Sequence, residues 1–244
     1  MHIFITGGTR GIGNGLVREF LIRGHLVSFT GTSQKNIDNS IKELNGDYKA
    51  YVCDVRNRKS IIDAMNQAVD SFGNIDVWIN NAGVSQSKLD VSELNEEEIK
   101  RIVDINVLGT ISGTSIALNQ MKKQGYGIVY NLEGLGSNDM VIPKTVIYGS
   151  TKRLITYFCK GCNKELKDDK RISVGTISPG MVFTDLLMND MDEESLKVAK
   201  ILGNDVSYVA PIIVNGILKG QKKIKVLTTI KIIWRFMTSM FRKK

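Results

Sequence analysis

The stretch His2-Ile3-Phe4-Ile5-Thr6-Gly7-Gly8-Thr9-Arg10-Gly11-Ile12-Gly13 decides the fold of this 244-residue chain. A short apolar run gives way to spaced glycines, and an amphipathic helical pattern begins at residue 12. That order reads as a strand, a sharp turn and a helix N-terminus. Glycines at 7, 11 and 13 let the backbone turn tightly and approach a phosphate, while the first helical N–H groups supply positive potential. The spacing is Gly-x-x-x-Gly-x-Gly, not Gly-x-Gly-x-x-Gly. It suits a dinucleotide pyrophosphate cradled by Gly7, Thr9, Arg10, Gly11, Ile12 and Gly13.

Outward from this turn, apolar runs alternate with helical patterns, as in successive βαβ units. Strands are expected at residues 3–6, 26–30, 50–53, 77–80, 128–131 and 172–177, with a seventh at 223–227. Helices are expected near residues 12–23, 35–44, 58–72, 96–123, 148–167 and 206–219. The expected fold class is α/β: a single-domain Rossmann fold, doubly wound, with a mostly parallel sheet of about seven strands and helices on both faces. Residues 1–228 form the dinucleotide-binding and catalytic domain, with 184–204 as a substrate lid rich in Leu186, Leu187, Met188 and Met191. Residues 229–244 form a basic amphipathic C-terminal helix.

Composition narrows the class. The chain is 42% hydrophobic and 24% charged, the balance of a soluble globular protein. No apolar run reaches the roughly 18 residues of a membrane span, and no secretory segment opens the chain. Three cysteines, an odd number, point to thiols in a reducing cytoplasm. Cys159 and Cys162 lack a second pair or a nearby histidine, so no metal is expected. The net charge is +8, yet no acid follows Asp205 whereas nine bases do: Lys219, Lys222, Lys223, Lys225, Lys231, Arg235, Arg242, Lys243 and Lys244. Without them the body carries 24 bases against 25 acids. The basicity belongs to the tail, which argues against nucleic acid and for a local anionic contact.

In a doubly wound sheet, ligands lie beyond the carboxyl ends of the strands. Asp54 and Val55 follow the third strand, where a carboxylate can accept from an adenine amino group. Asn81, Ala82 and Gly83 follow the fourth, where small residues let a ribose lie against the backbone. The second strand ends Phe29-Thr30-Gly31-Thr32-Ser33 with no acid to take ribose hydroxyls. Arg10, Thr32 and Ser33, with Lys35 nearby, are instead suited to a 2′-phosphate, so NADP(H) is expected in preference to NAD(H).

Further on, Tyr148-Gly149-Ser150-Thr151-Lys152 puts a phenol and an ammonium on one helix face, about 5–6 Å apart at Cβ. A nearby ammonium stabilises phenolate and is expected to lower the phenol from about 10 toward neutrality. Such a phenol protonates an alkoxide as hydride reaches a carbonyl carbon.

Thr6 to Gly13, Asp54, Asn80 to Gly83, Asn106, Tyr148, Lys152 and Pro179-Gly180 together resemble the short-chain dehydrogenase/reductase family over essentially the whole chain. The resemblance implies a tetrad of Asn106, a serine, Tyr148 and Lys152. It implies that Asn106 holds a relay water behind Lys152, and that Lys152 also binds the nicotinamide ribose. Pro179, Gly180, Val182 and Thr184 would flank the nicotinamide, with Thr184 at its carboxamide. The serine departs from the pattern. Strand five closes Asn131-Leu132-Glu133-Gly134 where the family carries a Ser-Ser pair, and the nearest hydroxyl is Ser137. Ser137 either swings in to hold the carbonyl or is an ordinary loop serine. The stretches 127–137 and 178–188 are similar to the chlorophyll b reductase branch, whose members carry Asn-Met-Asp-Gly-Ala-Gly-Ser where this chain has Asn-Leu-Glu-Gly-Leu-Gly-Ser (131–137), and a Thr-Asp-Leu-Leu-Met segment like residues 184–188.

The expectation is an NADPH-dependent carbonyl reductase acting on a small apolar aldehyde, ketone or alcohol, as a cytoplasmic homo-oligomer. The alternatives are a 3-oxoacyl-carrier-protein reductase and a non-catalytic dinucleotide-binding sensor or scaffold. On a helical wheel, Lys231, Arg235, Thr238 and Ser239 share one narrow polar face, extended by Arg242. Ile230, Ile233, Trp234, Phe236, Met237, Met240 and Phe241 fill the rest. Two readings stand open: a helix packed on the sheet or across a dimer, and a helix lying on an anionic membrane or over an apolar substrate as a lid.

Overall fold

Seven strands form one sheet in the computed structural model, which describes residues 1–188 and 193–241, without the side chains of 194, 240 and 241. Met191 of the expected lid and Arg242, Lys243 and Lys244 of the tail lie outside the described residues, as do the side chains of Met240 and Phe241. The strands are β1 (His2–Ile5), β2 (Leu26–Gly31), β3 (Tyr48–Val52), β4 (Val77–Asn80), β5 (Gly127–Leu132), β6 (Ile172–Ser178) and β7 (Lys223–Lys225). Their order is β3-β2-β1-β4-β5-β6-β7, and every pair is parallel. The sheet expected as mostly parallel is therefore wholly so.

Helices α1 (Gly11–Ile22), α2 (Gln34–Ile41), α3 (Arg58–Phe72), α4 (Glu96–Val103), α5 (Thr110–Gln124) and α6 (Val146–Glu165) alternate with the first six strands. After β6 come α7 (Asp185–Met188), α8 (Glu193–Leu202), α9 (Val206–Leu218) and, beyond β7, α10 (Thr229–Phe241). The single helix expected over 96–123 is interrupted by a π-helical turn, Asp104–Gly109, between α4 and α5. The expected lid consists of α7 and α8, closed by a bridge between Val182 and Asn204.

Helices on both faces bury the sheet twice over, which is why β1, His2-Ile3-Phe4-Ile5, is apolar after its first residue and has no exposed residue. On one face Leu16, Val17 and Phe20 of α1 meet Ile213 and Val214 of α9 against Ile3, Ile5 and Phe29. On the other, Phe4 stacks on Trp78 at 4.0 Å between ring centroids, under Ile61, Ile116 and Ile155 of α3, α5 and α6. Each such fully buried side chain contributes about 1.5–3 kcal/mol.

One polar ladder crosses the second core. Trp78 Nε1 donates to Asn80 Oδ1 at 2.8 Å, Asn80 Nδ2 donates to Asn131 Oδ1 at 2.7 Å, and Asn131 Nδ2 reaches Cys159 Sγ at 3.2 Å. Satisfied on every side, it locks the ends of β4 and β5 to α6. Strand order reverses between β1 and β4, and the crevice at that switch point is where a doubly wound sheet binds its ligand.

Candidate active site

The turn after β1 is built by glycine where only glycine fits. Gly7 and Gly11 have φ of 66° and 54°, in the left-handed region. Gly13 is needed for room: a β-carbon there would fall 2.2 Å from the Gly7 carbonyl oxygen and 2.4 Å from Asn81 Nδ2. The turn is stitched to the end of β4. Asn81 Nδ2 donates to the carbonyls of Thr6 (3.0 Å) and Gly7 (2.8 Å), and Thr6 Oγ1 accepts from the N–H groups of Asn81 and Ala82. Arg10 begins α1 without a side-chain cap, so no side chain competes for the N–H groups of the first turn. Those free donors and the close glycines fit a dinucleotide pyrophosphate.

A cleft of about 1640 Å³ opens at the carboxyl ends of the strands. It is lined by every sequence-predicted site residue except Gly13, Ser33 and Asn106. Ser33 caps α2, accepting from the Asn36 N–H at 3.3 Å, and Thr32 Oγ1 accepts from Asn36 Nδ2 at 3.2 Å. Arg10 Nη1 faces the Asp185 carboxylate at 3.8 Å, with both side chains more than 70% exposed. An ion pair so open to water is worth little and leaves the guanidinium free to turn. Asp54 is forked by Arg56, whose hydrogen bonds hold the carboxyl below its usual range. Thr184 leans over the glycine turn: its methyl would be 3.3 Å from a β-carbon on Gly11.

On α6, the Lys152 Nζ lies 5.6 Å from the centre of the Tyr148 ring and donates to the Leu132 carbonyl at 3.3 Å. Burial pushes Lys152 down to about 8, opposed by the charge of Glu133. Tyr148 keeps part of its surface open to the cleft, yet burial pushes its phenol up to about 12. The sequence pointed the other way for the phenol, because spacing shows the ammonium and not the loss of water around the hydroxyl. Removing hydration from a phenolate outweighs a cation at this distance. The consequence favours proton donation: the phenol stays protonated throughout the neutral range.

Asn106 lies in the π-helical turn and is clamped to one backbone unit. Its Oδ1 accepts from the Val84 N–H and its Nδ2 donates to the Val84 carbonyl, both at 2.9 Å. A β-carbon on Gly83 would be 3.3 Å from Asn106 Oδ1 and 3.7 Å from Lys152 Nζ, so the three residues form one corner. Ser137 Oγ is turned onto the backbone of Gly134: it accepts from that N–H at 2.9 Å and donates to that carbonyl. Gly134 is the position next to the phenol, since a β-carbon there would fall 2.5 Å from Tyr148 Oη.

Two residues that sequence reasoning left without a role belong to this site. Gln86 is buried, and its Oε1 accepts from the Tyr148 N–H at 2.9 Å, filling an orphan donor in the first turn of α6. No spacing marks it. Glu133, visible in the sequence only as an acid at the serine position, is buried between α6 and β6. Its carboxylate accepts from Thr156 Oγ1 at 3.1 Å and from Ser178 Oγ.

A pH dependence follows. Chemistry that uses the Lys152 ammonium loses it as pH rises through about 8, so reductive turnover should decline there while Tyr148, near 12, is still protonated. Glu133 holds Lys152 up, so Glu133→Gln should move that decline to lower pH. A pH profile of kcat that is unmoved in the variant would show that Glu133 does not act on Lys152.

The family model for short chain dehydrogenases matches residues 1–195. The chain is 32% identical over 99% of its length to a protein of Arabidopsis thaliana named a probable chlorophyll(ide) b reductase, chloroplastic. It spans about half the length of that relative, 53%. Among solved structures, a 3-ketoacyl-(acyl-carrier-protein) reductase from Brucella melitensis complexed with NADH superposes with a TM-score of 0.83 at 21% identity, over 92% of this chain and 96% of that one. ElxO with NADP bound superposes with a TM-score of 0.81 at 25% identity, over 92% and 96%.

Proposed function

Since the chain belongs to the short-chain dehydrogenase family, whose oxidoreductases act between C=O and CH–OH groups with a nicotinamide dinucleotide, we propose that it is an NADPH-dependent carbonyl reductase for an apolar aldehyde or ketone. The observation that carries the reading is the meeting of Tyr148 and Lys152 with the glycine turn in one cleft. Its lining includes the apolar residues Leu135, Met140, Ile142, Leu186, Leu187 and Leu202. The name of the Arabidopsis relative supports a substrate of this kind.

Gly7, Gly11 and the first turn of α1 would hold the pyrophosphate, and Asn81, Ala82 and Gly83 the adjoining ribose. Held there, the reduced dinucleotide supplies hydride to the carbonyl carbon. Tyr148 Oη donates the proton to the carbonyl oxygen, and the Lys152 ammonium stabilises the phenolate left behind. Asn106, fixed on Val84, keeps the corner behind Lys152 rigid. With Ser137 folded onto Gly134, the second contact to the carbonyl oxygen would need that hydroxyl to turn.

The missing acid at the end of β2 and the exposed charge of Arg10 support NADPH over NADH. Arg10→Ala should raise KM for NADPH about tenfold and leave NADH use unchanged, the loss of one charge-assisted phosphate contact. Equal effects on the two cofactors would remove Arg10 from the 2′-phosphate site. The reading as a whole is tested by NADPH oxidation across a panel of apolar aldehydes and ketones. Tight NADPH binding with turnover only on carrier-bound ketones would favour the carrier-protein reductase, and binding without turnover a sensor. Cys53, Cys159 and Cys162 are buried free thiols, which suits a reducing compartment such as the cytoplasm.

A further inference from the structure

The C-terminal helix is inside out. On α10 the polar stripe faces the protein: Arg235 donates to the carbonyls of Leu202 (3.0 Å) and Gly203 and to Asn204 Oδ1 (2.6 Å), closing the end of α8, and Lys231 Nζ donates to the Val226 carbonyl. The apolar stripe faces out. Ile230, Ile233, Trp234 and Met237, spaced i, i+3, i+4, i+7, are 80%, 54%, 61% and 50% exposed. Scattered single apolar residues on a surface mean nothing, but a continuous stripe on one helix marks a contact.

Charge decides what covers it. Exposed Lys219, Lys222, Lys223 and Lys225 precede the helix at the end of α9 and along the edge strand β7, and no acid follows Asp205. A second copy of the chain would bring the same cations against these. An anionic lipid surface neutralises them and takes the apolar stripe into its acyl boundary. The placement also has a chemical sense. Ile232, between the two stripes, lines the same cleft as Leu227, Leu202 and Tyr148, so the helix borders the mouth of the substrate site.

We propose that α10 and the lysines at 219, 222, 223 and 225 dock the protein on an anionic bilayer, with the cleft mouth at the membrane so that an apolar carbonyl substrate enters from the lipid. The last clause rests on the reductase reading; the docking does not.

The chain carries its own probe. It has two tryptophans, of which Trp78 is fully buried and Trp234 lies on the exposed stripe, so a shift in emission on adding vesicles reports α10. The full chain should sediment with vesicles of phosphatidylcholine and phosphatidylserine and shift its emission to the blue, with little response to phosphatidylcholine alone. Ile230→Glu with Met237→Glu, both on the solvent side and away from the cleft, should weaken this binding about a hundredfold. Lys219→Gln with Lys222→Gln should weaken it by roughly fivefold per charge at low salt. Both variants should reduce a water-soluble aldehyde with NADPH as the parent does, which also shows that they fold. A chain that ignores anionic vesicles overturns the proposal. So does one whose Trp234 is already shielded in a dimer, or one that binds only an acidic carrier protein. Vesicle binding without turnover on any aldehyde would overturn the reductase reading and leave the docking standing.

Discussion

Replacing Tyr148 with phenylalanine is expected to lower reductive turnover by ~10²–10⁴ while leaving NADPH affinity within about twofold. The substitution removes one oxygen from the cleft and keeps the ring against which Lys152 packs. Packing is thus spared, and the loss falls on the proton. The magnitude is that of a positioned general acid, and the phenol is suited to be one because burial keeps it protonated, up to about 12. Single-turnover rates with bound NADPH separate the outcomes. A slow chemical step with normal dinucleotide binding is the expected result, and turnover equal to the parent's would mean that the proton comes from elsewhere.

The second large effect lies at the other end of the cleft. Gly13→Ala is expected to weaken dinucleotide binding by about a hundredfold or more and to destabilise the fold by about 1–3 kcal/mol. The new methyl would lie 2.2 Å from the Gly7 carbonyl oxygen and 2.4 Å from Asn81 Nδ2. Neither can retreat cheaply. The carbonyl is backbone, and Asn81 Nδ2 is already committed to Thr6 and Gly7. The turn that would cradle the pyrophosphate must open, and the tie to β4 opens with it. Gly161→Ala is the control: it lies on α6 with nothing within 4 Å of the added carbon, and helix propensity favours the alanine. Fluorescence titration with NADPH reads the first effect and thermal melting the second. A Gly13→Ala protein that binds NADPH like the parent would show that the turn is not the pyrophosphate site.

These two positions were legible in the sequence because glycine spacing and the Tyr148–Lys152 interval are local patterns with local consequences. The strands were legible for a similar reason: a sheet covered on both faces writes itself as apolar runs, so β1, β4 and β6 appear where the runs are. What escaped was whatever depends on a partner distant in sequence. The periodicity of residues 96–123 is helical throughout, and the π-helical turn that carries Asn106 leaves no mark on it. Gln86 meets Tyr148 only once β4 and α6 are assembled. The helical wheel of the tail separates two stripes, yet only the carbonyls at the end of α8 reveal that the charged one turns inward. The phenol was misjudged in direction because burial is a property of the whole fold.

The strand order has a consequence for how the chain comes into being. β1 lies inside the sheet, and its first neighbour, β2, follows it closely in sequence; its second, β4, is not made until residues 77–80. At about 10 residues per second, β1 waits several seconds with one edge unpaired during synthesis. Until then the nascent sheet β3-β2-β1 presents the open edge of a strand whose four residues are all buried once folded. Residues on that edge are where a chaperone would act, and where slow translation of the segment between β3 and β4 would cost yield without altering the finished fold.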